Sequence, residues 1–138
     1  MATSVRKESD MDADKVKFRG IGMSFTATAG ATTNGDLKMN EGRLLDGVHL
    51  ILNGHAFGDS AKLQVVDVDN VLGYGAGTVL DQFADSWFFA SDKQDQGHLR
   101  LPYSAEIIAN LYVRIVYTST GATNVSVQCN LFAHKYLA

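Results

Sequence analysis

The chain has 138 residues, 12 Lys and Arg against 15 Asp and Glu, a net charge of −3, and one cysteine and one proline. This length suits one domain that buries about 68% of its unfolded surface, and a lone cysteine excludes an internal disulfide. The acidic balance argues against a sequence-independent nucleic-acid binder, which needs a basic stripe, and no apolar run reaches the ~18 residues of a membrane span.

Residues 1–15 hold Arg6, Lys7, Glu8, Asp10, Asp12, Asp14 and Lys15 and almost nothing apolar. They bury too little to offset ordering entropy, so they read as a flexible N-terminal arm: a frayed tail, or a segment that orders on a partner surface. The first seventeen residues lack the apolar stretch of a signal peptide, so folding is expected in a cytoplasm.

From residue 16 to 138 the hydrophobic period is two, as in strands. Val48, Leu50 and Leu52 share a face, with His49, Ile51 and Asn53 opposite. Leu63 and Val65 oppose Lys62, Gln64 and Val66; Leu111, Val113, Ile115 and Tyr117 oppose Tyr112, Arg114, Val116 and Thr118. Val125, Val127, Cys129 and Leu131 alternate with Ser126, Gln128, Asn130 and Phe132, which makes Cys129 a core thiol. Asn34-Gly35 signals a turn, residues 54–60 a break, and residues 118–124 a hairpin connection. Pro102 suits an edge or a strand end. Helical stripes are scarce: residues 104–110 and 80–84 each allow one short turn. Together these signals predict an all-β fold: a single-domain β-sandwich or jelly roll of about eight strands over residues 16–138.

The stretch from Val65 to Thr78, VVDVDNVLGYGAGT, has acids two apart and glycines two apart. As a calcium loop it places Asp67 and Asp69 at positions 1 and 3, but Val71, Leu72 and Thr78 then occupy positions 5, 6 and 12. A Walker loop needs a lysine before Thr78, and a dinucleotide fingerprint needs glycine where Thr78 stands. The reading left is a strand ending near Val68, a turn from Asp69-Asn70, and glycines that permit positive φ. An incidental cation site at Asp67 and Asp69 stays open. No catalytic residue, metal ligand or cofactor is assigned. His49, His55, His98 and His134 lack metal spacing and read as surface or strand histidines, and no nucleophile elbow occurs.

Asp85-Ser86-Trp87-Phe88-Phe89-Ala90 is the unusual stretch. A strand points Trp87 and Phe89 one way and Phe88 the other, so aromatics occupy both faces. Covering one such ring contributes about 2–3 kcal/mol from area alone. Ile51, Val66, Val116 and Phe132 add apolar residues to outward faces, and Tyr136 lies in an apolar chain end. Either a loop covers that sheet or another subunit does. The second case makes Trp87, Phe88, Phe89, Phe132 and Tyr136 the candidate interface.

Three stretches carry a resemblance: residues 25–34 (FTATAGATTN), residues 57–69 (FGDSAKLQVVDVD) and residues 111–121, whose YxRxxYTxTG pattern leads into a final strand. Together they resemble small structural proteins of tailed-bacteriophage particles, most of all jelly-roll capsid cement (decoration) proteins. The resemblance implies a non-enzymatic virion protein that folds in the host cytoplasm. It would bridge major capsid proteins or other virion subunits and assemble with itself, with no nucleic acid or membrane partner. Two other readings stand beside it: a tail, neck or fibre-associated β-domain, and a carbohydrate-binding module in which Trp87 and Tyr74 stack on sugar rings.

Overall fold

The computed structural model describes residues 19–89 and 95–134; the arm expected over residues 1–15 and Tyr136 lie outside them. Eight strands follow one another: β1 (Arg19–Ala27), β2 (Thr32–Lys38), β3 (Arg43–Asn53), β4 (Asp59–Asp67), β5 (Thr78–Phe89), β6 (Gln96–Ile107), β7 (Tyr112–Thr118) and β8 (Val125–His134). They form two antiparallel four-stranded sheets, in the orders β1-β8-β3-β6 and β2-β7-β4-β5. Every connection from β1 to β4, and from β6 to β8, crosses between sheets, whereas β4 and β5 are neighbours. This wiring is that of a jelly roll.

The alternating residues meet between the sheets. Val48, Leu50 and Leu52 of β3 and Val125, Val127, Cys129 and Leu131 of β8 face Leu63, Val65, Val113, Ile115 and Tyr117 of the other sheet, all of them buried. Each fully buried side chain of this kind contributes on the order of 1.5–3 kcal/mol, and together they set the separation and register of the layers. Cys129 is among them, and burial pushes its thiol up to about 12. A thiol-specific reagent is therefore expected to leave Cys129 unmodified at pH 8 in the folded protein and to react fully in denaturant, read by mass spectrometry.

Three local expectations are corrected. Residues 118–124 do not close a hairpin, because β7 pairs with β2 and β4 while β8 pairs with β1 and β3. They arch between the sheets and hydrogen-bond to the β1–β2 connection, Ser119 N–H donating to Ala31 O at 2.9 Å. Asn34-Gly35 is not a turn but the middle of β2, opposite Val116 and Ile115. Gly35 is there for space: a Cβ would lie 2.2 Å from Cδ1 of Phe25, whose ring crosses it. Residues 80–84 and 104–107 are extended, in β5 and β6, since sheet pairing overrides a weak helical pattern. Val66 keeps the outward register of β4, paired with Tyr112 and outside the core cluster, and is nonetheless wholly buried; the bulge between Val65 and Val66 adds its extra residue to β5.

Pro102 lies in β6, at the edge of its sheet. Its position falls in the gap where the ladder to β3 shifts between Leu45 and Gly47, so its missing N–H removes no ladder bond.

Candidate functional site

The aromatic strand β5 divides as alternation requires. Phe88 is 64% exposed and stands opposite Ser60, while Phe89 is wholly buried. Phe89 stacks on Tyr117 (centroids 6.1 Å, 23°) and meets His55 and Trp87 edge-on at 6.0 and 6.4 Å. Trp87 is half-buried against the core. Both rings sit over Gly97 of β6, where a Cβ would lie 2.4 Å from Phe89 Cε1 and 2.6 Å from Trp87 Nε1. Phe89 therefore leaves the candidate interface: it is a core residue that links the two sheets, and no partner reaches it without unfolding the chain. Phe132 is half-buried on the outward face of β8, on a different sheet from Phe88. Phe88 and Phe132 thus belong to separate surfaces.

Phe88 has a neighbour that the strand pattern does not reveal. Phe57, 70% exposed, lies in the β3–β4 connection, and the next residue, Gly58, donates its N–H to Phe89 O at 3.0 Å. Phe57 and Phe88 therefore occupy one corner of the sandwich, beside the arch of residues 119–124. A buried carboxylate holds that corner. Asp59 accepts the Tyr117 hydroxyl (2.7 Å), the Thr120 N–H and hydroxyl (both 2.8 Å) and the Ala56 N–H (3.1 Å). Burial alone would raise its pKa, but the four hydrogen bonds outweigh desolvation and hold it below the usual 3.8. Conversely, burial and the bond to Asp59 push the Tyr117 phenol up. The Thr120 hydroxyl also lies 3.2 Å from Phe57 O. Phe57 and Phe88 are thereby presented on a fixed backbone.

The loop of residues 68–77 is a scaffold built on Asp67. Asp67 is buried, and its carboxylate accepts the N–H groups of Val71 (2.7 Å) and Leu72 (2.9 Å) while its carbonyl accepts that of Gly77 (2.8 Å). Asn70 adopts φ 59° and accepts the Gly75 N–H on its side chain at 2.8 Å; Gly73, Gly75 and Gly77 have φ of 86°, 124° and 83°. Asp69 instead takes the Tyr112 hydroxyl at 3.0 Å and Lys38 Nζ at 3.5 Å. The two acids answer to different partners, and among the described residues no group of three or more His, Cys, Asp or Glu could hold a metal ion. Tyr74 projects from this loop at 78% exposure. The loop leaves β4 at the end opposite the Trp87 corner, so Tyr74 and Trp87 do not form one sugar-stacking row.

Three histidines share the outward face of the β1-β8-β3-β6 sheet. His49 and His98 are opposite one another with rings 5.8 Å apart, and His134 Nδ1 lies 2.6 Å from Asp46 Oδ2. His55 departs from the surface expectation, being buried against Phe89. For His49 the alternation of residues 48–53 carried the signal; a partner three strands away in sequence did not show.

The strand order defines the class: an eight-stranded jelly-roll β-sandwich, an architecture used by viral capsid and lectin domains alike. No protein-family model and no curated protein sequence matches the chain. Among solved structures, the infectious bursal disease virus VP2 subviral particle is similar at 12% identity and TM-score 0.48, over 89% of this chain and 33% of that one. The chain thus spans about a third of the VP2 protein it matches. The cyanophage Pam1 capsid asymmetric unit is similar at 18% identity and TM-score 0.39, over 88% and 84% of the two chains. PliG of Aeromonas hydrophila, a periplasmic inhibitor of g-type lysozyme, is similar at 17% identity and TM-score 0.31, over 86% and 87%. A fold by itself does not give a function, which is read from the surface of this chain.

Proposed function

We propose that the chain is a non-enzymatic structural component of a virus particle, a cement protein that bridges neighbouring major capsid subunits and stabilises the shell. The observation that carries this reading is the corner formed by Phe57 and Phe88, two of the most exposed large apolar side chains of the fold, on a backbone fixed by Asp59. A rigid aromatic pair loses little entropy on docking and gains most of its burial there, which is what an interface anchor does. The phage resemblance of residues 25–34, 57–69 and 111–121 gives the partner, and the two runs 57–69 and 111–121 build the strands and arch around that corner. A tail, neck or fibre subunit would use the same corner.

The test is absolute mass by light scattering across a concentration series, wild type against Phe88→Ser, with melting temperature as the control. Wild type is expected as a closed dimer or trimer, and Phe88→Ser as a 14.9 kDa monomer with its melting temperature within a few degrees of wild type. A wild type that stays at 14.9 kDa at every concentration counts against self-assembly through this corner. A Phe88→Ser chain that does not fold shows that Phe88 belongs to the core.

A further inference from the structure

A second surface lies on the other sheet. At the β3 bulge, Asp46 and Gly47 both face outward, and Gly47 stands between Phe132 of β8 and Arg100 of β6, its register partners on either side. Where a side chain should fill the row there is a depression of about 240 Å³, lined by Asp46, Gly47, His98, Arg100 and Phe132. The gap is fixed: a Cβ on Gly47 would lie 2.7 Å from Leu99 O, a backbone atom, so no larger residue fits without moving β6.

Each wall has its own chemistry. Phe132 offers a half-buried ring, with His98 tilted against it at 5.5 Å. Asp46 is held by the Ser104 hydroxyl and by His134 Nδ1, so its negative charge is turned toward those groups. Arg100 is exposed, and among the described residues no ion pair involves it. The floor is mid-sheet, between paired strands, so a ligand meets side chains and not free backbone edges. That geometry disfavours an added peptide strand.

We propose that this depression binds one acidic pyranose residue of a glycan, of the uronic or sialic type. The guanidinium of Arg100 takes the sugar carboxylate in a forked pair, the geometry in which arginine surpasses other cations. The apolar C–H face of the ring lies on Phe132, as sugars lie on aromatic side chains with one wet face. The ring nitrogens of His98 and the remaining lone pairs of Asp46 meet ring hydroxyls. The volume admits one ring and not a chain, so a longer glycan enters by a single acidic residue. This assignment does not depend on the virion reading, although a particle component with such a site would attach its particle to acidic glycans.

The experiment is a titration of the full chain with D-glucuronate, N-acetylneuraminate and D-glucose, followed by amide chemical shifts in NMR. An acidic sugar is expected to bind weakly and to shift Gly47, Arg100 and Phe132 together, while glucose does not. Arg100→Gln is expected to weaken the acidic sugar about tenfold or more with an unchanged melting temperature, and Phe132→Ser to abolish its binding in a chain that still folds but melts lower. Glucose binding as tightly as glucuronate would remove the carboxylate from the assignment. Shifts confined to other residues, or none with either acid, would overturn it.

Discussion

Val127→Asp is expected to leave no folded protein. Val127 is wholly buried in β8, paired on one side with Phe25 of β1 and on the other with Leu52 of β3. A carboxylate there faces the apolar interior from the second-innermost position of a four-stranded sheet, with no described basic residue in the core cluster to pair with it. Burying a polar group without a partner costs several kcal/mol, and a charge more, against a total stability of about 5–15 kcal/mol. Circular dichroism should show loss of the β spectrum, and expression should yield insoluble chain. A soluble variant melting within a few degrees of wild type would contradict the placement of β8 at the centre of the sandwich.

Asp59→Ala is expected to have the second-largest effect and to carry a pH signature. Removing the carboxylate leaves the Tyr117 hydroxyl and the Thr120 and Ala56 N–H groups without their acceptor at a buried corner. Stranded donors of this kind cost about 3 kcal/mol in total, or about 10 °C in melting temperature. The acid dependence follows from the direction of the shift. Folding lowers the Asp59 pKa below 3.8, so its contribution is fully present above that value and is lost as pH falls through the folded pKa. Wild type should therefore lose stability steeply below about pH 4, and Asp59→Ala should lose less over the same range. Parallel curves would mean that other carboxylates control acid unfolding.

The same corner explains how Phe57 and Phe88 remain exposed without loosening the fold. Asp59 sits at the first position of β4, opposite Phe89, and its oxygens reach across to residues of the β7–β8 arch. One side chain thus ties the β3–β4 connection to the arch. Loss of Asp59 is expected to weaken the proposed self-assembly as well as stability, because the backbone that carries Phe57 would lose its tie to the arch.

Period-two alternation alone determined the inner faces of β3, β7 and β8, and with them the all-β class and the burial of Cys129, because a pleated strand leaves a side chain only two directions. Alternation also separated Phe88 from Trp87 and Phe89, without saying which side met water. Turn chemistry determined the mobile-looking glycines after Asp67 as a scaffold, since their positive φ values are a local property. What the sequence left open depends on which strands are neighbours. A polar, Gly-containing link such as residues 118–124 reads the same whether it closes a hairpin or spans two sheets, and only the pairing of β7 with β2 and β4 decides it. Gly35 looks like a turn glycine until Phe25 lies across it, and the burial of Val66 on its outward face shows only in the folded chain. The Asp59 network and the row of Phe132, Gly47 and Arg100 join residues far apart in the chain. Such contacts exist only once the sheets have closed, because local spacing carries no information about distant partners.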